Sequence, residues 1–291
     1  MKPSKKYFVK VLEQVSLKLF GEKFYSYILF LRYFNKFKRS LNRKKTSLKH
    51  SKKLDKINEF EYKFTSQNNE DGIINFIFSK IPNSKLFIEI GFSYFEYNSL
   101  NLIKNGWSGF LIDQHHKENL LTDRLLKIFF PKSNIKVLTR SINKENINNI
   151  FEQISSNQEI DFFSIDIDGN DYWILKNMNI NNIKCICLEY NHWIGNNVKK
   201  TIKYDENFKF NDDGYFGASL LAFHDLLKKK EFDLVAVESS GTNAFFINRK
   251  YSHNFEILNP INSFQSNPYL YSDEKKKKIY SEVNNHDFED V

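Results

Sequence analysis

One stretch, Asp161–Met178 with the sequence DFFSIDIDGNDYWILKNM, constrains the chain more than any other. Phe162, Phe163, Ile165 and Ile167 make a short aromatic and β-branched run, suited to a strand covered on both faces. Asp166 and Asp168 close that strand and, being two apart, point to the same face. Gly169 supplies a turn, Asn170 or Asp171 can cap a helix, and Tyr172, Trp173, Leu175 and Met178 begin its apolar side. Open α/β sheets bind their ligands in the crevice beyond the carboxyl ends of the strands. Two acids at that place are candidates for chemistry; an acidic capping turn is the plainer alternative.

The surrounding rhythm agrees with that placement. From about residue 65 strand alternates with helix, the pattern of βα units on a mostly parallel sheet. Strands are expected at Leu86–Gly91, Gly109–Asp113, Ile135–Thr139, at the opening stretch, and at Ile183–Tyr190. Helices are expected at Asp71–Ile81, Phe95–Lys104, Glu118–Phe130, Lys144–Ile154 and Gly217–Lys229. Two last strands, Phe232–Glu238 and Asn243–Asn248, are joined by Ser239–Thr242 tightly enough to be a hairpin. The fold class expected is α/β: a Rossmann-like sheet, mostly parallel, with a reversed last strand. Between the fifth strand and the last helix lies a polar, aromatic loop, His192–Phe216. Loops of that length in a compact domain are usually functional or disordered.

Charge is distributed unevenly. Residues 1–57 hold 17 Lys and Arg against Glu13, Glu22 and Asp55, a net of +14; with +8 for the whole chain, the rest carries −6. The arm reads as helical, and its many aromatics need a covering surface. An anionic membrane surface or a homo-oligomer contact suits those aromatics better than nucleic acid does. The expected domains are therefore a basic helical arm over 1–60, an α/β domain over 61–250 and a mobile polar tail over 251–291. The two cysteines, Cys185 and Cys187, share one face of a strand and are poorly placed to bridge each other. Without a signal-peptide core or an apolar run long enough to span a bilayer, the expectation is a cytoplasmic protein, membrane-peripheral at most.

Other strand ends add candidates. Glu89 stands two before Gly91 in FIEIG, where the backbone can turn close to a ligand. Asp113 ends the second strand about twenty residues on, the usual place for an acid that takes ribose hydroxyls. No G-x-G-x-x-G and no phosphate loop is present, so a cofactor without phosphates fits better. Glu189, on the fifth strand, should reach the same rim as Asp166 and Asp168. Such acids, or His192, can take a proton from a hydroxyl or hold a divalent cation. The surface readings are a set of solvated carboxylates and a polar loop histidine.

The blocks SQNNEDG (66–72), FIEIG (87–91), GFLIDQ (109–114), DFFSIDIDGNDYWILK (161–176), CLEYN (187–191), GASLLAF (217–223) and SSGTNAFF (239–246) together resemble a branch of the FkbM-type S-adenosylmethionine-dependent methyltransferases. The resemblance implies methyl transfer to an oxygen of a glycan or other hydroxylated small molecule. It further implies Glu89 and Gly91 at the methionine part of S-adenosylmethionine, Asp113 at the ribose and Ser141 near the adenine. Gln67 and Asp71 would close over the cofactor, with Asp166 and Asp168 at the methyl-transfer face. Members usually continue the first motif as G-x-x-D-G, whereas this chain has Gly91-Phe92-Ser93-Tyr94-Phe95. A side chain is then expected where backbone approaches the ligand, weakening cofactor binding. That departure favours, as the alternative, an inactive methyltransferase-like scaffold; a weaker alternative is an RNA methyltransferase.

Overall fold

A computed structural model describes residues 27–28, 30–46, 55–155, 158–266 and 272–291. The chain divides into two compact units, 1–43 and 44–291. In the first, residues 27–28 and 30–41 are helical, and the Ser40 hydroxyl donates to the Phe37 carbonyl at 2.7 Å. The apolar run Phe8–Phe20 lies outside the described residues.

The second unit is built on seven strands. They are β1 (Leu86–Ile90), β2 (Ser108–Asp113), β3 (Ile135–Thr139), β4 (Ile160–Ile165), β5 (Ile183–Glu189), β7 (Phe232–Val237) and β8 (Asn243–Asn248). Their order across the sheet is β3-β2-β1-β4-β5-β8-β7. Parallel pairing runs from β3 through to β5, and β8 is antiparallel to both β5 and β7. This is the Rossmann-like methyltransferase sheet, with its last core strand reversed. The centre of the sheet falls where the sequence is most continuously apolar. Every residue of β4 is buried, as are six of the seven in β5, as expected for strands covered by helices on both faces.

One charged pair is buried at the other end of these strands. Lys184 forms an ion pair with Asp161 at 2.8 Å, with side chains 6% and 0% exposed. The second Asp161 oxygen accepts from the backbone N–H groups of Ser84 and Leu86, each at 2.9 Å. Cys185 and Cys187 are free and buried, and burial pushes both thiols up in pKa, away from reactive thiolate.

The helix expected over Phe95–Lys104 is shorter. Only Leu100–Lys104 forms, because the N–H groups of Asn98 and Ser99 donate to the buried carboxylate of Glu89 and hold residues 91–98 in an irregular loop. The segment expected as a mobile tail is ordered in its described part. It carries a helix, Asp273–Val283, and a strand, β9 (Glu289–Asp290), that pairs antiparallel with β6 (Lys200–Thr201) inside the long loop. Ile279 and Val283, one turn apart, pack with Trp193 and Phe216, while the run Lys275–Lys278 stays on the wetter side. No helix among the described residues is long and apolar enough to cross a membrane.

Candidate active site

The carboxyl ends of the parallel strands open into a cavity of about 600 Å³, a size usual for small-molecule sites. At the end of β1 the chain turns sharply at Gly91, whose φ is +75°. A Cβ there would lie 1.7 Å from the carbonyl oxygen of Asp166. The neighbouring strands therefore require glycine at this point. Glu89 also borders the cavity, but its carboxylate is engaged by Asn98 N–H at 2.9 Å, Ser99 N–H at 2.8 Å and the Ser99 hydroxyl. It shapes the loop after β1. Burial raises its pKa to about 7.

Asp113 stands at the end of β2, and its Oδ1 accepts from the His115 backbone N–H at 2.6 Å. Its carboxylate edges the cavity beside Ser141 and Arg140, which follow β3.

The floor belongs to β4 and β5. One oxygen from each of Asp166, Asp168 and Glu189 lies within 4.8 Å of the others. The turn that presents them is held by Asp171, which accepts from the N–H groups of Ile167 and Gly169, each at 3.0 Å. Asp168 adopts φ +58°, a left-handed conformation that Asp tolerates better than most residues. Loss of solvation, followed by mutual repulsion, pushes Asp166 and Glu189 well above the ordinary carboxylate range. Asp168, the most exposed of the three, is pushed up to about 6, by loss of solvation and then by Asp171 and Asp113. Three acids held this closely favour a shared proton or a bound cation.

The remaining wall is residues 205–210 of the long loop. Asn170 donates its side-chain amide to the Asp205 carbonyl at 2.7 Å, and Asn143 donates to Glu206 at 2.7 Å. The Phe208 ring lies so close over Gly169 that a Cβ there would meet it at 2.4 Å. The C-terminal segment braces this loop from behind. Besides the β6–β9 pairing, Tyr215 stacks on His286 with ring centroids 4.8 Å apart, and Lys275 pairs with Asp212 at 2.5 Å.

Eight of the ten expected site residues border the cavity: Gln67, Glu89, Gly91, Asp113, Ser141, Asp166, Asp168 and Glu189. Asp71 and His192 do not. Asp71 is turned back into its own segment, where Oδ2 accepts from the N–H groups of Phe64, Thr65 and Ser66 at 2.6 to 2.9 Å. It holds the shape of the chain that carries Gln67. His192 is only 7% exposed and lies against Trp193, ring centroids 4.6 Å apart; burial lowers its pKa to about 4. His192, expected as a proton acceptor, therefore does not border the cavity.

The altered first motif does not obstruct the cavity either. Tyr94 and Phe95 pack on each other, centroids 4.7 Å apart, and the loop turns Phe92, Ser93 and Glu96 toward the cavity instead. Sequence reasoning missed Tyr97, Asn98, Phe208 and Asn243. Asn243 belongs to the SSGTN block, which the structure ties to SQNNEDG directly and through residues flanking both. Asn69 donates to Glu238 at 2.8 Å, Asn243 donates to Glu70 at 2.7 Å, and Ser239 N–H donates to Glu61 at 2.9 Å.

The order and direction of the strands are those of a Rossmann-like methyltransferase fold. No protein-family model matches the chain, and no curated protein matches it. Among solved structures it is similar to the N-terminal domain of EvdMO1 with SAH bound, at 10% identity and TM-score 0.44 over 77% of this chain and 96% of that one. It is also similar to M. capricolum TrmK in complex with S-adenosyl-homocysteine, at 17% identity and TM-score 0.37 over 73% and 83% of the two chains. A third is magnesium protoporphyrin IX methyltransferase (ChlM) from Synechocystis PCC 6803 with bound SAM, at 8% identity and TM-score 0.40 over 74% and 90%. The fold assignment rests on strand order and direction.

Proposed function

We propose that the protein is an S-adenosylmethionine-dependent O-methyltransferase acting on a glycan or another hydroxylated small molecule. The observation that carries this reading is the opposition of Asp113, at the end of β2, to the Asp166, Asp168 and Glu189 cluster at the ends of β4 and β5, across one cavity. In this reading Asp113 takes the ribose hydroxyls, Ser141 borders the adenine, and the turn at Gly91 lies beside the methionine part under Gln67. The donor set suits the ligand: carboxylates line the side where a sulfonium cation would sit, and no phosphate cradle is needed. The cofactor supplies an electrophilic methyl group.

The chain supplies placement and proton removal. Phe208 and Phe210 form an apolar wall against which an acceptor ring can lie, and the acids orient its hydroxyls. Good orientation of reactants is worth ~7–11 kcal/mol of barrier. Asp168, poised near neutrality, accepts the hydroxyl proton as the new carbon–oxygen bond forms. A divalent cation held by Asp166, Asp168 and Glu189, an all-oxygen set suited to hard cations, would lower the pKa of that hydroxyl.

Two alternatives find less support. Tyr94 and Phe95 lie off the cavity, which weighs against an inactive scaffold. The cavity border carries seven carboxylates against Arg140 and Lys209, an arrangement that repels RNA phosphates. The test is calorimetric titration with S-adenosylhomocysteine, repeated with Asp113→Ala. Micromolar binding lost in the variant supports the reading; no binding at millimolar ligand sinks it.

A further inference from the structure

Tyr97 borders the cavity and is only 3% exposed, yet its hydroxyl makes no hydrogen bond to any of the described residues. Among the described residues, the one other buried side-chain atom of this kind at the border is Oδ1 of Asp166, which belongs to the acidic floor. A buried hydroxyl without a partner is costly, and folded proteins seldom keep one without a use for it. The place of this phenol is set on two sides. Asn98 and Ser99, the next residues in the chain, donate their N–H groups to the Glu89 carboxylate at 2.9 and 2.8 Å. The Tyr97 ring meets that of Phe92 edge to face, with centroids 5.7 Å apart. Glu89 thus accepts from the loop backbone and from the Ser99 hydroxyl, and not from Tyr97. Burial, reinforced by the charge of Glu89, pushes the phenol well above its ordinary pKa. The hydroxyl keeps its proton and offers a donor.

What that donor would meet follows from its surroundings. Tyr97 belongs to the loop that leaves β1, beside which the methyl-transfer reading puts the amino-acid part of S-adenosylmethionine. That part carries an ammonium and a carboxylate. Seven carboxylates border the cavity and suit the ammonium. The carboxylate has no cation at this end, because Arg140 follows β3 and Lys209 stands in the loop wall. It needs neutral donors, and two of the nearby amides are already committed. Asn98 donates to the Ser164 hydroxyl at 3.0 Å and Asn243 donates to Glu70 at 2.7 Å. The Tyr97 hydroxyl remains available. We propose that Tyr97 binds the carboxylate of the methionine part, donating its hydroxyl proton to it in a hydrogen bond, and so selects ligands that carry that carboxylate. The inference rests on the methyl-transfer reading and adds to it a binding residue that no strand end marks.

The experiment compares the full chain with its Tyr97→Phe variant, which loses the hydroxyl and keeps the ring. Each is titrated calorimetrically with S-adenosylhomocysteine and with decarboxylated S-adenosylhomocysteine, which keeps the adenosine and the amine. Expected is a roughly tenfold loss of affinity for S-adenosylhomocysteine in the variant, the scale of a hydrogen bond to a charged group. Affinity for the decarboxylated ligand should be the same in both proteins. Without ligand, the thermal midpoint of the variant should equal or exceed that of the wild type, since the substitution strands no group of the chain. A lower midpoint would mean that the hydroxyl serves the fold, and it overturns the proposal whatever the ligand. Unchanged affinity for S-adenosylhomocysteine overturns it as well, as does an equal loss for both ligands. Binding of neither ligand by the wild type at millimolar concentration sinks the methyl-transfer reading itself, and this inference with it.

Discussion

The side-chain amide of Asn243 donates to Oε1 of Glu70 at 2.7 Å, in a place where both residues are buried. Glu70 also accepts from the Asn68 N–H at 2.7 Å. Residues that begin the α/β domain are thereby fastened to the turn before its last core strand, and Asn243 is set at the cavity edge.

Asn243→Leu removes a donor from a carboxylate that burial already holds above its ordinary pKa. Leaving such a group short of a partner costs about 1–3 kcal/mol. Urea denaturation should report a loss of that size, accompanied by weaker S-adenosylhomocysteine binding. Unchanged stability would mean that the clamp is incidental.

The two glycines at the site should differ. Gly91→Ala drives a Cβ into the backbone of Asp166 at positive φ, where neither strand can yield; several kcal/mol are expected, of order 3 or more. Gly169→Ala meets only the Phe208 ring, which can swing aside. We expect a folded Gly169→Ala protein, within about 1–2 kcal/mol of wild type, and little or no folded Gly91→Ala. Equal thermal midpoints for the two variants would contradict this.

The acidic floor makes a prediction with a definite sign. The Asp168 pKa is raised from 3.8 to about 6 in the folded protein, so the folded state holds its proton more tightly than the unfolded chain does. That contribution to stability is present in full below about pH 4 and is lost as pH rises through 6. Asp168→Asn should therefore gain on wild type across that window and hold the gain at pH 7. The gain should be a few tenths to about 1 kcal/mol, because the residue is exposed and water screens it. Denaturation at pH 4 and pH 7 measures the difference; a gain that shrinks with rising pH would refute the repulsion argument.

The same floor should respond to cations. Manganese or magnesium at pH 7.5 should raise the thermal midpoint of the wild type and leave an Asp166→Asn, Glu189→Gln variant unmoved, as mass action requires of a ligand that binds only the folded site. An identical response from both proteins would place the ion elsewhere.

The buried pair Lys184 and Asp161 offers a comparison remote from the cavity. Lys184→Met strands Asp161, which is 0% exposed, and should cost about 3–5 kcal/mol. Binding of S-adenosylhomocysteine by the protein that remains folded should be unchanged. A loss of affinity in the folded fraction would join this pair to the site.

The sheet was readable because its central strands are apolar runs, ended by acids or glycine and spaced by helices. Asp113, Asp166 and Glu189 were readable because strand ends in such a sheet converge. What eluded the sequence was direction. Asp71 and His192 sit in the right neighbourhoods, but the first is turned by three backbone N–H groups and the second by its packing on Trp193. Local acidity also misleads: Glu89 cuts short a helix that the pattern of residues 95–104 allows. The C-terminal helix was hidden because Ile279 and Val283 are few among the lysines around them. Their value as anchors depends on Trp193 and Phe216, roughly sixty to ninety residues earlier.

That brace sets an order of assembly. Pairing β1 with β2 closes a loop of about twenty residues, whereas Lys200 meets Asp290 only after about ninety residues have been ordered. Long closures come late in folding and add slow, non-local steps. The β1–β5 half can therefore form as a unit before the wall of residues 205–210 is secured. In hydrogen exchange the two-stranded ladder of β6 and β9 should open first, well before β4 or β5. One sheet thus supports two levels of order: a durable floor, and a loop wall that can be exchanged or lost while the fold beneath it persists.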